Sequence, residues 1–185
     1  NAQTLGGSLN IQVGGSGTVA PGAITLTGIL SGPSGSLVKS GTGTLILTGA
    51  NTFGGGVTIK NGTLESKTTQ TTLGSGTATM GGAGSTGATY LTGQGNSNQF
   101  VINAPDSGNI VIGANGAGSG FTMSGGVTLN GNLTLQTFEN VISATTKASA
   151  IITGGVTGTG NLLLNNLGAR DNVITISGTS VNHSG

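Results

Sequence analysis

Glycine recurs so often in this chain that almost no stretch is long enough to form two turns of helix. There are 39 Gly among the 185 residues, and the segments between them are rich in threonine, whose branched side chain favours strands over helices. These segments are short runs in which apolar and polar side chains alternate, and a glycine commonly ends each run. The pattern predicts short β-strands, joined by sharp bends, with one face buried and the other in water.

The alternating runs are spread fairly evenly from one end of the chain to the other. They occupy residues 8–13, 23–27, 44–48, 56–59, 109–112, 127–129, 133–135, 151–152, 161–164 and 172–176. Alternation predicts that one set of side chains points inward, namely Ile24, Leu26, Leu45, Leu47, Val57, Ile59, Leu64, Ile110, Ile112, Leu133, Leu135, Ile174 and Ile176. A period of roughly 20 residues predicts about nine coils and a rod on the order of 45 Å, because stacked strands lie about 4.8 Å apart.

The composition favours a solenoid over the two alternatives, a disordered chain and a sandwich of hairpins. Apolar residues make up 34 % of the chain, which is enough to bury a core, and aromatic residues only 3 %, which suits thin repeated layers. Charged residues are only 5 %, although the exposed edges of a hairpin sandwich are usually guarded by charges. In a solenoid each coil pairs with the coils above and below, so its flanks need no such guard. We therefore expect one all-β solenoid domain over residues 1–185.

The same composition argues against several functions. The chain has no cysteine, so it has no disulfide and no cysteine-based metal site, and its net charge of +1 does not suit nucleic-acid binding. No run of about 18 apolar residues is present, so we expect no membrane insertion by this segment. The first residue is Asn1 rather than methionine, and we expect any signal peptide or anchor to lie outside the chain. The absence of cysteine, together with the high content of Thr, Asn and Gly, predicts an extracellular or bacterial cell-surface location.

One segment, residues 37–64, resembles a known family motif. It combines alternating leucines, regularly placed glycines, one lysine and an Asn-Thr-Phe step, and resembles the passenger-associated transport repeat of autotransporters. The positions that carry the resemblance are Leu37, Lys39, Gly41, Gly43, Leu45, Leu47, Gly49, Asn51, Phe53, Gly55, Thr58, Ile59, Gly62 and Leu64. We expect the glycines where the backbone bends sharply, and the amide of Asn51 bonding along the stack.

The resemblance implies a right-handed parallel β-helix that is exported to the cell surface, and whose folding helps to drive its translocation. It does not imply one activity, because similar scaffolds carry adhesins, proteases and toxins. The strong motif covers residues 36–65. Residues 150–185 resemble a weaker second copy, in which Leu162 corresponds to Leu37 and an insertion over 167–172 is expected to form a surface loop.

Chemical motifs give little support to catalysis. The glycine pattern at 82–87 fits a dinucleotide fingerprint but opens no predicted helix. The carboxylates Glu65, Asp106, Glu139 and Asp171 are widely spaced, and the single histidine, His183, lies near the last residue. We therefore predict a protein that is not an enzyme and that has no catalytic, cofactor-binding or metal site. The aromatic residues are predicted to pack in the core or at its rim; they are Phe53, Tyr90, Phe100, Phe121 and Phe138.

Four functions remain for comparison. The leading hypothesis is a stalk or scaffold segment of a passenger domain, followed by a filament subunit that stacks end to end. An adhesin binding glycan or matrix comes third, and a polysaccharide-cleaving enzyme fourth. The expected partner is either further β-helix of the same polypeptide or another copy, reached through terminal strands that contain Ser8, Leu9, Ile11, Val13, Val173, Ile174 and Ile176. A helix over 138–150 is the weaker interpretation of that segment, since its Val, Ile and Thr residues favour strand.

Overall fold

A computed structural model describes residues 2–14, 21–67, 73–92, 95–114, 120–137, 149–166, 173–178 and 181–183. These residues form twenty short strands and no helix, as the glycine and threonine content predicts. The strands are β1 (Ala2–Thr4), β2 (Ser8–Gln12), β3 (Ala23–Leu26), β4 (Ile29–Ser31), β5 (Ser36–Ser40), β6 (Thr44–Leu47), β7 (Val57–Ile59), β8 (Asn61–Ser66), β9 (Ala78–Met80), β10 (Gly87–Thr92), β11 (Phe100–Asn103), β12 (Ile110–Ala114), β13 (Phe121–Met123), β14 (Val127–Asn130), β15 (Leu133–Thr137), β16 (Ser149–Ile152), β17 (Val156–Gly158), β18 (Leu162–Asn166), β19 (Val173–Ile176) and β20 (Val181–His183).

The strands stack in parallel into a β-solenoid, which confirms the predicted fold class. One face is an eight-stranded sheet in the order β2-β5-β7-β9-β11-β14-β17-β20, and a second is a seven-stranded sheet in the order β3-β6-β8-β10-β12-β15-β18. The third face carries the pair β1-β4 near one end and the sheet β13-β16-β19 near the other. The chain visits the three faces in turn, so strands that are distant in sequence become neighbours along the axis.

The coils are longer and less uniform than predicted. One turn advances the chain by 19 residues where Leu45 pairs with Leu64, and by 29 where Val127 pairs with Val156. The described residues place eight strands on the longest sheet, so the expectation of about nine coils of roughly 20 residues is wrong. Loops of different length between strands account for the difference. Seven steps of about 4.8 Å give about 34 Å between the first and last strands of that sheet.

The interior is a stack of aliphatic side chains, as alternation predicts. Nine of the thirteen residues expected to point inward are buried, namely Leu45, Leu47, Val57, Ile59, Leu64, Ile110, Ile112, Leu133 and Leu135. Leu26 and Ile174 are partly buried against this core. Ile24 and Ile176 face inward, in register with the buried Leu45 and Ile152, but are exposed by 41 % and 37 %. Both lie on strands that end their sheets, and each is therefore paired on one side only.

Aromatic and polar side chains share the middle of the interior. Phe53, Tyr90, Phe100 and Phe121 are buried, which confirms their predicted packing; Phe138 lies outside the described residues. The rings of Tyr90 and Phe100 have centroids 5.5 Å apart. The Tyr90 hydroxyl lies 2.9 Å from the Ser66 hydroxyl and accepts a hydrogen bond from the side chain of Asn96 at 3.1 Å. The hydroxyl of this buried ring is thereby satisfied inside the solenoid.

Two predicted features fall largely outside the described part of the chain. Residues 138–148 of the disfavoured helix over 138–150 lie outside the described residues, and Ser149 begins strand β16. The proposed insertion over 167–172 also lies outside it. In the part of the chain that the structure describes, no helix has the length and apolar character needed to cross a bilayer.

Candidate functional site: the repeat at residues 37–65

The motif identified in the sequence spans strands β5 to β8, where the second coil of the solenoid passes into the third. Its large apolar side chains, Leu37, Leu45, Leu47, Phe53, Ile59 and Leu64, are fully buried. Thr58 alternates with them and lies half-buried on the outer side of β7. The motif's apolar positions therefore form two stacked layers of the core.

Lys39 is the unexpected member of this interior. It lies two residues after Leu37 on β5, so alternation turns both side chains inward, and Lys39 is fully buried. Its Nζ donates to the carbonyl oxygens of Ser40 at 2.9 Å, Gly41 at 2.8 Å and Asn61 at 2.9 Å. An ammonium group has three donors, and three carbonyl oxygens receive them. The lysine thus ties the bend after β5 to the start of β8 in the next coil.

Burial has a clear electrostatic effect on this group. Loss of hydration disfavours the charged form and lowers the pKa of Lys39 from 10.5 to about 8. The partners that hold the ammonium are carbonyl dipoles rather than a carboxylate. Lys39 therefore remains protonated at neutral pH, as an internal cross-link between two coils.

Asn51 makes the corresponding connection in the opposite direction along the axis. It is 2 % exposed, and its Oδ1 accepts a hydrogen bond of 2.8 Å from the backbone N–H of Leu30, on β4 of the preceding coil. The N–H of Thr52 donates to the carbonyl oxygen of the same Leu30 at 2.8 Å. Residues 50–53 form no strand, and the Asn51 amide supplies the acceptor that a neighbouring strand would otherwise provide. The expected bond along the stack is present.

The motif glycines allow the coils to approach closely. A Cβ atom added at Gly41, Gly43, Gly49, Gly55 or Gly62 would press against a backbone carbonyl oxygen of the preceding coil. Gly41 and Gly62 also have positive φ angles, +74° and +69°, which other residues rarely adopt. Because these two glycines are stacked, the same bend is repeated in consecutive coils.

Comparison with known families agrees with this geometry. The family model of the passenger-associated transport repeat matches residues 37–65, which span β5 to β8 and include both polar side chains that bridge coils. Residues 37–65 are thus similar to a passenger-associated transport repeat. No curated protein and no solved structure matches the chain. The passenger repeat lies within a parallel solenoid that continues on both sides of it.

The predicted terminal strands lie at sheet ends, but on different faces. Strand β2, which holds Ser8, Leu9 and Ile11, ends the eight-stranded sheet, and Val13 follows it; β19, with Val173, Ile174 and Ile176, ends the three-stranded sheet. The strand at the opposite end from β2 on the same face is β20.

The proposed second copy over 150–185 remains a prediction, with one correction. Leu162 lies on the seven-stranded sheet, whereas Leu37 lies on the eight-stranded one. The correspondence between these two leucines is therefore wrong.

Among the residues considered for catalysis, Glu65 and Asp106 have described side-chain contacts, and each has a different partner. Glu65 pairs with Lys67 at 3.4 Å, and Asp106 accepts a hydrogen bond from the Gly84 N–H at 2.9 Å. Glu139 and Asp171 lie outside the described residues. Within the described residues no three His, Cys, Asp or Glu side chains gather in a way that could hold a metal ion. The glycine pattern at 82–87 leads into strand β10 rather than into a helix.

Sequence reasoning missed the polar interior. The inward position of Lys39 follows from its spacing to Leu37, so the alternation pattern in the sequence is enough to predict it. The buried Ser66, Asn96 and Asn98 had no comparable signal, because polar residues are abundant throughout the sequence. Asn98 donates through its side-chain nitrogen to the carbonyl oxygens of Gly74 at 3.2 Å and Gly76 at 2.5 Å, one coil earlier.

Proposed function

We propose that this chain is a structural segment of an extracellular passenger domain, a stalk or scaffold that holds another region away from the bacterial surface. The observation that carries the proposal is the placement of the passenger repeat within a solenoid whose longest sheet runs through eight strands. Such a rod is stabilised by neighbour-to-neighbour contacts along one axis. A long, narrow fold of this kind is better suited to holding another region at a distance than to enclosing a substrate.

An exchange experiment tests this role. The chain is displayed on bacteria with an N-terminal epitope domain and the membrane anchor of a known autotransporter, and is then replaced by an unrelated β-solenoid of the same number of coils. A scaffold role predicts that the epitope domain remains accessible to antibody and to protease on intact cells after the exchange. Leu47→Asp, which buries an unpaired charge, serves as the control for a collapsed rod. Loss of this accessibility with the substitute solenoid would contradict the proposal.

A second candidate, a filament subunit that stacks end to end, is favoured by apolar residues at the two ends of the rod. Three columns of inward-facing side chains are buried in the middle of the rod and exposed at one end. Leu45 is fully buried, but its neighbour Ile24 is 41 % exposed. Leu135 is fully buried, but its neighbour Leu164 is 47 % exposed. Ile152 and Ile176 repeat the contrast. A further coil would cover these side chains.

The sheet order defines how a second copy would supply that coil. To continue each face, β2 of one copy would follow β20 of the other, β3 would follow β18 and β1 would follow β19. The filament would then repeat roughly every 38 Å, which is eight steps of about 4.8 Å. Electron microscopy and sedimentation at rising concentration test this arrangement. Rods that remain single at high concentration would exclude it and leave the scaffold role.

A further inference from the structure

A groove lies on the outer edge of the solenoid, where three successive coils turn from the eight-stranded sheet onto the seven-stranded sheet. The turn between β14 and β15 has two residues, whereas the turn between β11 and β12, one coil earlier, has six. The longer loop therefore extends past the shorter turn and leaves a depression beside it. The cavity measures about 430 Å³, which lies within the usual range for small-ligand sites.

The chemistry of the groove is neutral and rich in hydrogen-bonding groups. Its lining residues include Asn109, Asn130 and Asn132, which carry carboxamides, and Thr134 and Thr159, which carry hydroxyls. The described lining residues include no ionisable side chain. A carboxamide offers two donors and an acceptor oxygen, so it can pair with adjacent hydroxyl groups of a ligand. A charged ligand would lose hydration here without gaining an opposite charge.

Two of these amides are held in place before any ligand arrives. The Asn130 side-chain nitrogen donates to the Asn103 Oδ1 at 3.1 Å, and the Asn132 Oδ1 accepts from the backbone N–H of Asn161 at 3.0 Å. These bonds fix the amide planes, and both side chains are otherwise exposed. Polar groups ordered in advance lose little conformational entropy on binding.

The amides are also repeated along the axis. Asn109, Asn132 and Asn161 each precede the first inward residue of a strand in the seven-stranded sheet, and these strands stack in register. The three side chains consequently follow one another at about 4.8 Å per coil, a spacing comparable to the length of one sugar residue. Pro105, a half-buried residue of the lining, supplies an apolar surface on which the C–H face of a sugar ring could rest.

We infer that this groove binds an uncharged oligosaccharide that lies along the solenoid axis, with its hydroxyl groups on Asn109, Asn130 and Asn132. The groove lies on the flank, so the inference does not depend on how the rod ends are covered. It would give the rod an adhesive function in addition to a structural one.

Titration calorimetry with cellohexaose, xylohexaose and mannohexaose, and with a heparin-derived hexasaccharide as the charged comparison, tests the inference. At least one neutral hexasaccharide should bind, and the Asn109→Ala/Asn132→Ala variant should weaken that binding about tenfold or more through the lost hydrogen bonds. Asn10→Ala removes an exposed amide from strand β2 and should leave binding unchanged. Circular dichroism and melting curves establish that each variant is folded.

A second variant separates loss of binding from loss of fold. Thr159→Trp fills the groove from an exposed position and keeps all three amides, so it should abolish binding while melting as the unmodified protein does. Binding that survives both the double variant and Thr159→Trp would overturn the inference. So would binding of the heparin fragment alone, or no binding of any neutral hexasaccharide in the panel.

Discussion

The ammonium of Lys39 donates a hydrogen bond of 2.9 Å to the carbonyl oxygen of Asn61, 22 residues further along and one coil away. Because Lys39 also bonds to Ser40 and Gly41, replacing it by methionine keeps most of the buried volume but deprives three carbonyl oxygens of a donor. We expect Lys39→Met to lower the free energy of unfolding by roughly 2 kcal/mol. Lys60→Met, at an exposed position in the same repeat, should change it by less than about 0.5 kcal/mol. Urea unfolding measures both, and equal effects would contradict the cross-link.

The lowered pKa of Lys39 gives the stability a defined pH dependence. Between about pH 8 and pH 10.5 the unfolded lysine is still protonated while the folded one has lost its proton, so the unfolded state binds more protons. The contribution of Lys39 to stability should therefore rise with pH across this window. It is measured as the difference in unfolding free energy between the protein and Lys39→Met at each pH. A difference that stays constant from pH 7 to pH 10 would show that the site does not titrate there.

Asn51 should be required for the third face of the repeat. Asn51→Ala leaves the buried N–H of Leu30 without the acceptor that it has now, and an unsatisfied buried donor costs about 1–3 kcal/mol. Asn10→Ala, an exposed asparagine on β2, should be close to neutral. Thermal melting compares the two variants, and hydrogen exchange at Leu30 should become faster in Asn51→Ala only. Slow exchange in that variant would mean that another group satisfies the N–H.

Proline substitutions can test end-to-end stacking where they remove an N–H that faces away from the rod, which those of Ile11 and Val173 do not. The N–H of Val13 donates to Ser40 of β5, and N–H groups alternate between the two sides of a strand. The N–H of Ile11 therefore also faces β5, and that of Asn10 faces the open side. By the same reasoning from the bond of Ser177 to Ile152, the N–H of Val173 faces β16.

Asn10→Pro should thus weaken association between copies while the rod stays folded, whereas Ile11→Pro should destabilise the first coil itself. Sedimentation velocity and circular dichroism distinguish these effects. Unchanged association in Asn10→Pro would count against stacking through β2.

Single substitution of any acid or of the histidine should abolish no chemical activity. Asn or Gln replacements of Glu65, Asp106, Glu139 and Asp171, and Ala at His183, are compared with the unmodified protein in a polysaccharide hydrolysis assay. The expected result is the same background rate for every variant. A variant that loses turnover but keeps the melting temperature of the unmodified protein would identify a catalytic residue.

Sequence alone predicts the interior of this fold better than its ends. Alternation determines the side of the strand on which a residue lies, and so it predicts the buried face at Leu47 and Ile112. It does not determine whether another coil covers that face, which is why Ile24 and Ile176 face inward and are nevertheless exposed. Coil length cannot be predicted from alternation either, because the sequence pattern does not determine how many loop residues separate two strands.

The candidate sites differ in the same way. The repeat at residues 37–65 is recognisable because its glycines and leucines satisfy local requirements at fixed spacing. The groove beside Asn132 depends on the relative lengths of turns in neighbouring coils, and on residues 109, 132 and 161 falling into one column. Neither the relative lengths of these turns nor the alignment of the three residues can be predicted from a single segment of the sequence.

The regular register has a consequence for how such a protein can change over evolutionary time. Leu37 pairs with Val57, and Val57 in turn pairs with Ala78, so these three positions are structurally equivalent. Deleting residues 57–77 would bring Ala78 to the place of Val57, and duplicating them would insert one more layer of the same kind. Ancestral gains and losses of whole coils could therefore alter the reach of the rod without requiring a new core.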